Sequence, residues 1–325
     1  MKVTVIIPNY NGKHFMEPCM EALANQTYTD FEILVIDNAS SDGSAEFIRE
    51  RYREARLLVM EKNLGFSGAV NVGIRASDTP YVLLLNNDTR VRRHFVEAMV
   101  KTIERSEKIF SVSSKMIQMY HPDYIDDAGD QYCLIGWGFQ RGISHPATQY
   151  TRFCQVFSAC AGAAIYRREV FEEIGYFDEM YFAYLEDMDI GYRARIAGYR
   201  NLYCPTAVVE HVGSGTSGSK YNAFKVRLAA RNSVYLNYKN MPAAQMVLNA
   251  LPLAFGWFLK YRFFVKRGFG DEFRAGLREG IKTRKKCKKV PYRRQDFWNY
   301  VRIEWDLVKN MFLYAWEYTH RTQPK

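Results

Sequence analysis

Short apolar runs alternate with amphipathic stretches through the first hundred residues. Val3-Thr4-Val5-Ile6-Ile7, closed by Pro8, reads as a buried strand, and residues 14–25 read as a helix. The same pairing recurs three times: strands at 31–37, 56–60 and 81–85, helices at 44–53, 68–76 and 92–105. This order predicts an α/β fold on a mainly parallel, doubly wound sheet. Ligands of such sheets gather beyond the carboxyl ends of the strands. Asn9, Asp37, Asn63 and Asp88 each fall just past a predicted strand, on one rim.

Residues 111–160 are less periodic. Within them, 120–142 are rich in Asp, Gly and aromatics and read as strands and loops covering a site. Regular structure resumes at 161–174, a helix is expected at 185–197 before Gly198, and 202–212 are strand-like. Beyond about residue 240 the pattern changes. Residues 246–265 are strongly apolar but interrupted by Pro252, Gly256 and Lys260, so an interfacial helix or helical hairpin is expected there rather than a membrane span. Residues 295–320 form an amphipathic stretch with Trp298, Trp305 and Trp316, expected to pack on the main domain. The expected division is 1–240 as the main domain and 241–325 as a basic, aromatic, helical extension.

Composition narrows the function. With 325 residues, 48% of them hydrophobic, the chain can bury a sizeable core. The net charge of +10 points to an anionic partner. The excess concentrates at 260–294, outside the α/β part, and no helix-turn-helix, zinc or RNA-binding pattern accompanies it. A membrane surface or phosphate is therefore expected, and no nucleic acid. Six scattered cysteines without a close pair fit a reducing compartment. Met1 leads straight into a strand, so no signal peptide is expected.

Several polar clusters could carry chemistry. Pro8-Asn9-Tyr10-Asn11-Gly12 turns the chain at the sheet rim. Asp37 ends a strand, where a carboxylate can accept the imide N–H of uracil or thymine, or the N–H of guanine, but finds no such donor on adenine. Asn38 follows it, and Asp42 and Ser44 read as caps of the next helix. Asn63, Gly65, Phe66 and Asn71 surround a glycine-bearing helix start suited to anions. Asn86-Asn87-Asp88 ends an apolar strand, and Asp88 can ligate Mg²⁺ or Mn²⁺ shared with phosphates. Glu186 and Asp187 open a helix after an aromatic run, and Asp187 is the carboxylate assigned to take a proton from an attacking hydroxyl. Asp189, two positions on, points away from it. His211 could complete a metal shell, and Arg231-Asn232 could face phosphates.

In this order the clusters resemble family 2 glycosyltransferases, bacterial rhamnosyltransferase-like members above all, over residues 1–240. The resemblance implies a GT-A type, Rossmann-like, doubly wound mixed sheet with a C-terminal helical extension. It implies inverting transfer of a sugar, rhamnose by preference, from a dTDP-, UDP- or GDP-linked donor to a hydroxyl of a glycan or polyprenyl-linked acceptor, in cell-surface polysaccharide synthesis. Asp37 would read the base, with Pro8, Asn9, Tyr10, Asn11, Asn38, Asn63, Gly65, Phe66, Asn71, Asn87 and Asp88 around the nucleotide sugar. Asp88 and His211 would hold the divalent cation, Asp187 would be the base, and Glu186 would help place the acceptor. Asn86 replaces the first acid of the usual metal motif, which removes one anionic ligand. The expected location is cytoplasmic, peripheral on the inner face of the plasma membrane. Two other readings are a nucleotidyltransferase, which would want a basic residue in the 8–12 turn, and a non-catalytic nucleotide-sugar-binding protein.

Overall fold

A computed structural model describes residues 1–213 and 221–322. The first half is β1 (Val3–Asn9), α1 (Lys13–Ala24), β2 (Phe31–Asp37), α2 (Ser44–Arg51), β3 (Arg56–Val59), α3 (Gly65–Arg75) and β4 (Tyr81–Leu85). The four strands are parallel, in the order β4-β1-β2-β3. Alternation along β1 sends Val3, Val5 and Ile7 to one face, against Met16, Met20 and Leu23 of α1, and Ile6 to the other, against Ala69, Val70 and Ile74 of α3. Both faces are covered, so β4 is apolar at all five positions and entirely buried. Each such Leu or Val contributes about 1.5–3 kcal/mol. Pro8 fits this central strand because pairing of β1 with β4 stops at Ile6, so the missing N–H is not needed on that side.

The second half continues with β5 (Thr89–Val91), α4 (Phe95–Ile103), β6 (Ile109–Gln118), β7 (His121–Asp127), β8 (Asp130–Cys133), β9 (Trp137–Gln140), β10 (Cys154–Val156), β11 (Ala163–Arg167), α5 (Val170–Ile174), α6 (Glu186–Ile196), β12 (Arg200–His211) and α7 (Ala223–Asn240). Here the sheet becomes mixed. β11 runs antiparallel between β4 and β6, and β12 returns parallel to β6. The expectation of a mainly parallel sheet therefore holds only for the first half. The stretch 111–160 is also more regular than its pattern suggests. β6 is a ten-residue inner strand whose periodicity is hidden by Ser111, Ser113, Ser114 and Lys115, all buried. Their polar atoms are bonded internally: Ser111 to Asn201 at 2.8 Å, Ser114 to the Ala163 carbonyl at 2.8 Å, and Lys115 Nζ to two carbonyls.

The tail is helical: α8 (Ala243–Leu248), α9 (Ala250–Val265), α10 (Gly270–Thr283) and α11 (Phe297–Thr319). Leu253, Tyr300, Ile303 and Leu307 share one core with Tyr132, Phe157, Met188 and Leu236, so residues on either side of position 240 pack as one body. Gly256 lets α9 press against the β8–β9 hairpin, since a Cβ there would stand 1.9 Å from the Ile135 carbonyl oxygen. Among the described residues no helix is long and apolar enough to cross a membrane.

Candidate functional site

The rim beyond β1, β2 and β4 is laced by side-chain amides. Asn9 donates to Asp37 Oδ1 at 2.9 Å and to Ser40 Oγ at 3.2 Å, and its own oxygen accepts from Asn87 at 2.6 Å. Asn38 donates to Asn63 at 3.0 Å and accepts the Leu64 N–H at 2.9 Å. Asn11, at φ 51°, accepts the Ser41 N–H at 2.7 Å. Four chain turns, those following β1, β2, β3 and β4, are thus fixed to one another, with Tyr10 exposed at the edge and Phe66 half-buried. Asp37 is buried and already accepts from Asn9 and from the Ser40 N–H, leaving further lone pairs on the same two oxygens. Asp42 bridges two helix starts by accepting the Lys13 and Ser44 N–H groups, while Gly43 occupies the cap position.

Asn71 departs from the expected set. Its amide is buried and spans the backbone N–H and carbonyl of Phe177 at 3.0 and 2.8 Å, and it donates to Glu179. It therefore fixes the segment leading to α6 and does not face the nucleotide rim.

Beyond the end of β4, β5 and β12 pair so that His211 lies opposite Thr89, and Nε2 of His211 comes 3.3 Å from Oδ1 of Asp88. Adjacent ligands of an octahedral ion with ~2.1 Å bonds stand about 3 Å apart, so this N/O pair fits a single divalent cation. Nδ1 of His211 lies 2.7 Å from Oδ2 of Asp126, whose carboxylate fixes the orientation of the imidazole ring. Burial alone would lower the His211 pKa, but Asp126 and Asp88 outweigh it and raise it to about 10. Asp126 was not anticipated from sequence; only its place in the acid-rich 120–142 stretch hinted at it.

The start of α6 is held by a strained turn. Phe182, Tyr184 and Leu185 all have φ between 62° and 72°, a conformation costly for side chains of this size. Asn232 clamps the turn by donating to the carbonyls of Tyr181, Ala183 and Tyr184 at 2.7–3.0 Å, and Arg231 donates to those of Met180 and Tyr181. These two residues, expected to face phosphates, instead brace the loop. Gly65 lets the loop approach, because a Cβ there would meet the Phe182 oxygen at 2.5 Å. The turn delivers Glu186 and Asp187 to the first turn of α6.

Asp187 is half-buried, and its Oδ1 accepts the Met188 N–H at 2.7 Å. Burial raises its pKa, with backbone N–H groups opposing. Glu186 is buried with Oε2 unbonded; burial first, then the Asp187 charge, hold it well above the carboxylate range. Asp127, Asp130 and Cys160 adjoin them, their ligand atoms all within 4.8 Å of one another. Asp189 does point elsewhere, as expected. It is fully buried against Arg193 (2.9 Å) and Lys239 (2.9 Å) and accepts from Asn240 at 2.8 Å. A separate groove of about 650 Å³ lies between α3, α5, α6 and the 286–296 segment, and its lining contains none of Asp88, Asp187 or His211.

Residues 4–175 match the family model described as glycosyl transferase family 2. An N-acetylglucosaminyl-diphospho-decaprenol L-rhamnosyltransferase of Mycobacterium tuberculosis is 26% identical over 237 residues, covering 66% of this chain and 77% of that protein. The glycosyltransferase GlyA of Streptococcus pneumoniae is 34% identical over 104 residues, 31% of this chain but only 15% of that protein. Among solved structures, GalNAc-T7 with UDP, GalNAc and Mn²⁺ superposes with a TM-score of 0.60 at 17% identity, over 74% of this chain and 48% of that one. The mannosyltransferase PcManGT of Pyrobaculum calidifontis, in complex with GDP-Man and Mn²⁺, gives 0.55 at 16% identity, over 94% and 84%. Those two likenesses establish the GT-A fold. The match to the family model spans more than half of the chain, and the chain belongs to glycosyltransferase family 2.

Proposed function

We propose that the protein is an inverting glycosyltransferase that moves a hexose, rhamnose by preference, from a dTDP-, UDP- or GDP-linked donor to a hydroxyl of a glycan or polyprenyl-linked acceptor. The observation that carries this reading is the pair of corners on one rim. Asp88 meets His211 at ligand spacing, and Asp187 sits in the first turn of α6 behind a braced loop. The rhamnosyltransferase relative and the structural neighbours, one holding UDP with GalNAc and the other GDP-Man, support the substrate class.

Each residue then has a task. The amide-laced rim of Asn9, Asn38, Asn63 and Asn87, with Asp37, holds the nucleoside. Asp88 and His211 hold Mg²⁺ or Mn²⁺, which when bound offsets charge on the diphosphate leaving group. The α3 N-terminus at Gly65 adds its dipole. Asp187 accepts the proton of the acceptor hydroxyl as that oxygen attacks the sugar carbon on the face opposite the diphosphate, so the configuration inverts. Its raised pKa makes it a stronger base than an exposed carboxylate.

We further propose that the tail rests on an anionic membrane surface at the inner face of the plasma membrane, near a lipid-linked acceptor. Leu251, Phe255 and Phe258 of α9 and Trp298, Trp305 and Phe312 of α11 are more than half exposed, beside the basic segment 282–294.

A thermal-shift panel of dTDP, UDP, GDP and ADP, with and without Mn²⁺, tests the transfer reading on wild type and Asp88→Ala. A shift for one pyrimidine or guanine diphosphate that needs both Mn²⁺ and Asp88 is expected. If no diphosphate shifts the protein and none of their sugar esters is turned over, the reading is wrong.

A further inference from the structure

Two carboxyl oxygens in the acidic chamber around Asp127, Asp130, Cys160 and Glu186 are buried without a hydrogen-bond partner, Asp127 Oδ2 and Glu186 Oε2. Asp127 is fully buried; its Oδ1 accepts the Gly129 N–H at 2.6 Å and its Oδ2 has no hydrogen-bond partner. Asp130 is 8% exposed, its backbone N–H donates to the Ser158 carbonyl at 3.0 Å, and its carboxyl group lies against that of Asp127. Its side chain faces Asp127 and Cys160. Glu186 Oε2, on the same chamber, is also buried and unbonded. A buried acceptor without a donor costs about 1–3 kcal/mol, so a site that collects several is poised for a ligand that brings donors.

The chamber lies between the two corners of the site. Asp126, the residue before Asp127, contacts His211 and through it Asp88. On the other side, Ser158 accepts from Asp130 and donates from Oγ to the Asp187 carbonyl at 2.5 Å. An in-line displacement requires the donor's sugar carbon to stand between the leaving diphosphate and the base. The ring hydroxyls of the donor hexose are therefore the groups that arrive beside Asp127 and Asp130.

We infer that Asp127 and Asp130 form the hydroxyl-reading site for the donor hexose; this rests on the transfer reading above. Burial pushes Asp127 up to about 8 and Asp130 well above the carboxylate range. The pair thus holds protons at neutral pH and both donates to and accepts from hydroxyls, as sugar recognition needs. Burial and the neighbouring acids hold the Cys160 thiol well above its usual range; a divalent cation is the competing occupant of the cluster, and counting bound Mn²⁺ separates the two.

The test compares Kd values of UDP, dTDP and GDP with those of UDP-glucose, UDP-galactose, dTDP-rhamnose and GDP-mannose, on wild type, Asp127→Asn and Asp130→Asn. Unchanged diphosphate affinity shows that a variant is folded. The affinity gained from the sugar is expected to fall at least tenfold in each variant, with diphosphate Kd within twofold of wild type. A sugar increment that survives in both variants overturns the inference and leaves the transfer reading standing. So does a fall from two bound Mn²⁺ to one by titration, which would make the chamber a cation site. If no diphosphate binds wild type, the transfer reading and this inference fall together. Should neither variant fold, monodeoxy analogues of the best-binding ester on wild type decide it: a loss under twofold at every ring position overturns the assignment.

Discussion

Two buried acidic centres flank the start of α6, and they are built in opposite ways. Asp189 is fully compensated: Arg193, Lys239 and Asn240 surround it, and Lys239 also reaches Asp178 at 2.8 Å. Burial would raise its pKa, but Arg193 and Lys239 overcome that and hold it down at about 2. Among the described residues Asp187, Glu186, Asp127 and Asp130 make no ion pair, and burial raises all four, with Arg141 opposing it only weakly at Asp127. Charge compensated inside the fold serves structure, and the uncompensated acids are the ones proposed to meet substrate. The first turn of α6 supplies Glu186 and Asp187 to one centre and Asp189 to the other.

The comparison breaks most visibly at Asp189. Asp189→Ala strands two buried cations, and removing one partner of a buried pair costs about 3–5 kcal/mol. Urea unfolding is expected to show that loss, with activity failing through the fold. A cost below 1 kcal/mol would mean that the cluster is not structural.

Asp187→Asn should do the reverse. Stability stays close to wild type, nucleotide affinity is kept, and single-turnover transfer falls by about 10²–10⁴, the range for a positioned general base. Unchanged turnover would remove the base assignment.

Asn232→Ala tests what joins the two centres. It deletes three carbonyl bonds and frees the turn at 182–185. Each lost bond leaves a buried acceptor unsatisfied at about 1–3 kcal/mol before relaxation. The expected signature is a kcat reduced about tenfold or more, since small displacements of a reacting group cost up to ~10², with diphosphate Kd preserved. Equal losses in kcat and diphosphate affinity would point to general unfolding instead.

How far these features could be read from sequence differs by region. The strands of the first half and the residues Asn9, Asp37, Asp88, Glu186, Asp187 and His211 stood out because each polar group ends an apolar run, a local pattern. Asn71 and Asn232 stand out in sequence but with other roles, and Asp126 does not, because what they do depends on partners 106, 48–51 and 85 residues away. β6 was obscured for a related reason: its buried serines are satisfied by neighbours that only the assembled sheet supplies. The brace, the imidazole orienter and the acidic chamber are all long-range products of β7, β8 and α7 closing over the first half.

Proton linkage sharpens the contrast between the centres. Asp189 has a depressed folded pKa, so its contribution is present above the unfolded value of about 4 and is lost as pH falls through about 2. Asp127 has the opposite sign. Between about pH 4 and 8 the unfolded chain has released a proton that the folded protein retains, so stability falls as pH rises. The slope is at most about 1.4 kcal/mol per pH unit per proton. Asp127→Asn is expected to flatten the fall in melting temperature between pH 5 and 8; an unaltered slope would show that Asp127 is ionised throughout.

The smallest effect on stability is expected on the outer face of the tail. α11 carries two apolar stripes. Tyr300, Ile303 and Leu307 enter the core, while Trp298, Val301, Trp305 and Phe312 face solvent at helical spacing. An exposed side chain loses little on replacement, so Trp305→Glu with Phe312→Glu should change unfolding free energy by no more than about 0.5 kcal/mol per site. Binding to vesicles is where the change should register. The aromatic stripe supplies buried apolar area and the 282–294 segment supplies charge, and membrane attachment through a surface helix needs both. Flotation with anionic liposomes at low salt is expected to recover wild type and to lose the double variant, while transfer to a soluble acceptor continues. Equal flotation of the two proteins would assign the outer stripe to something other than lipid, and failure of wild type to float would remove the membrane from the account altogether.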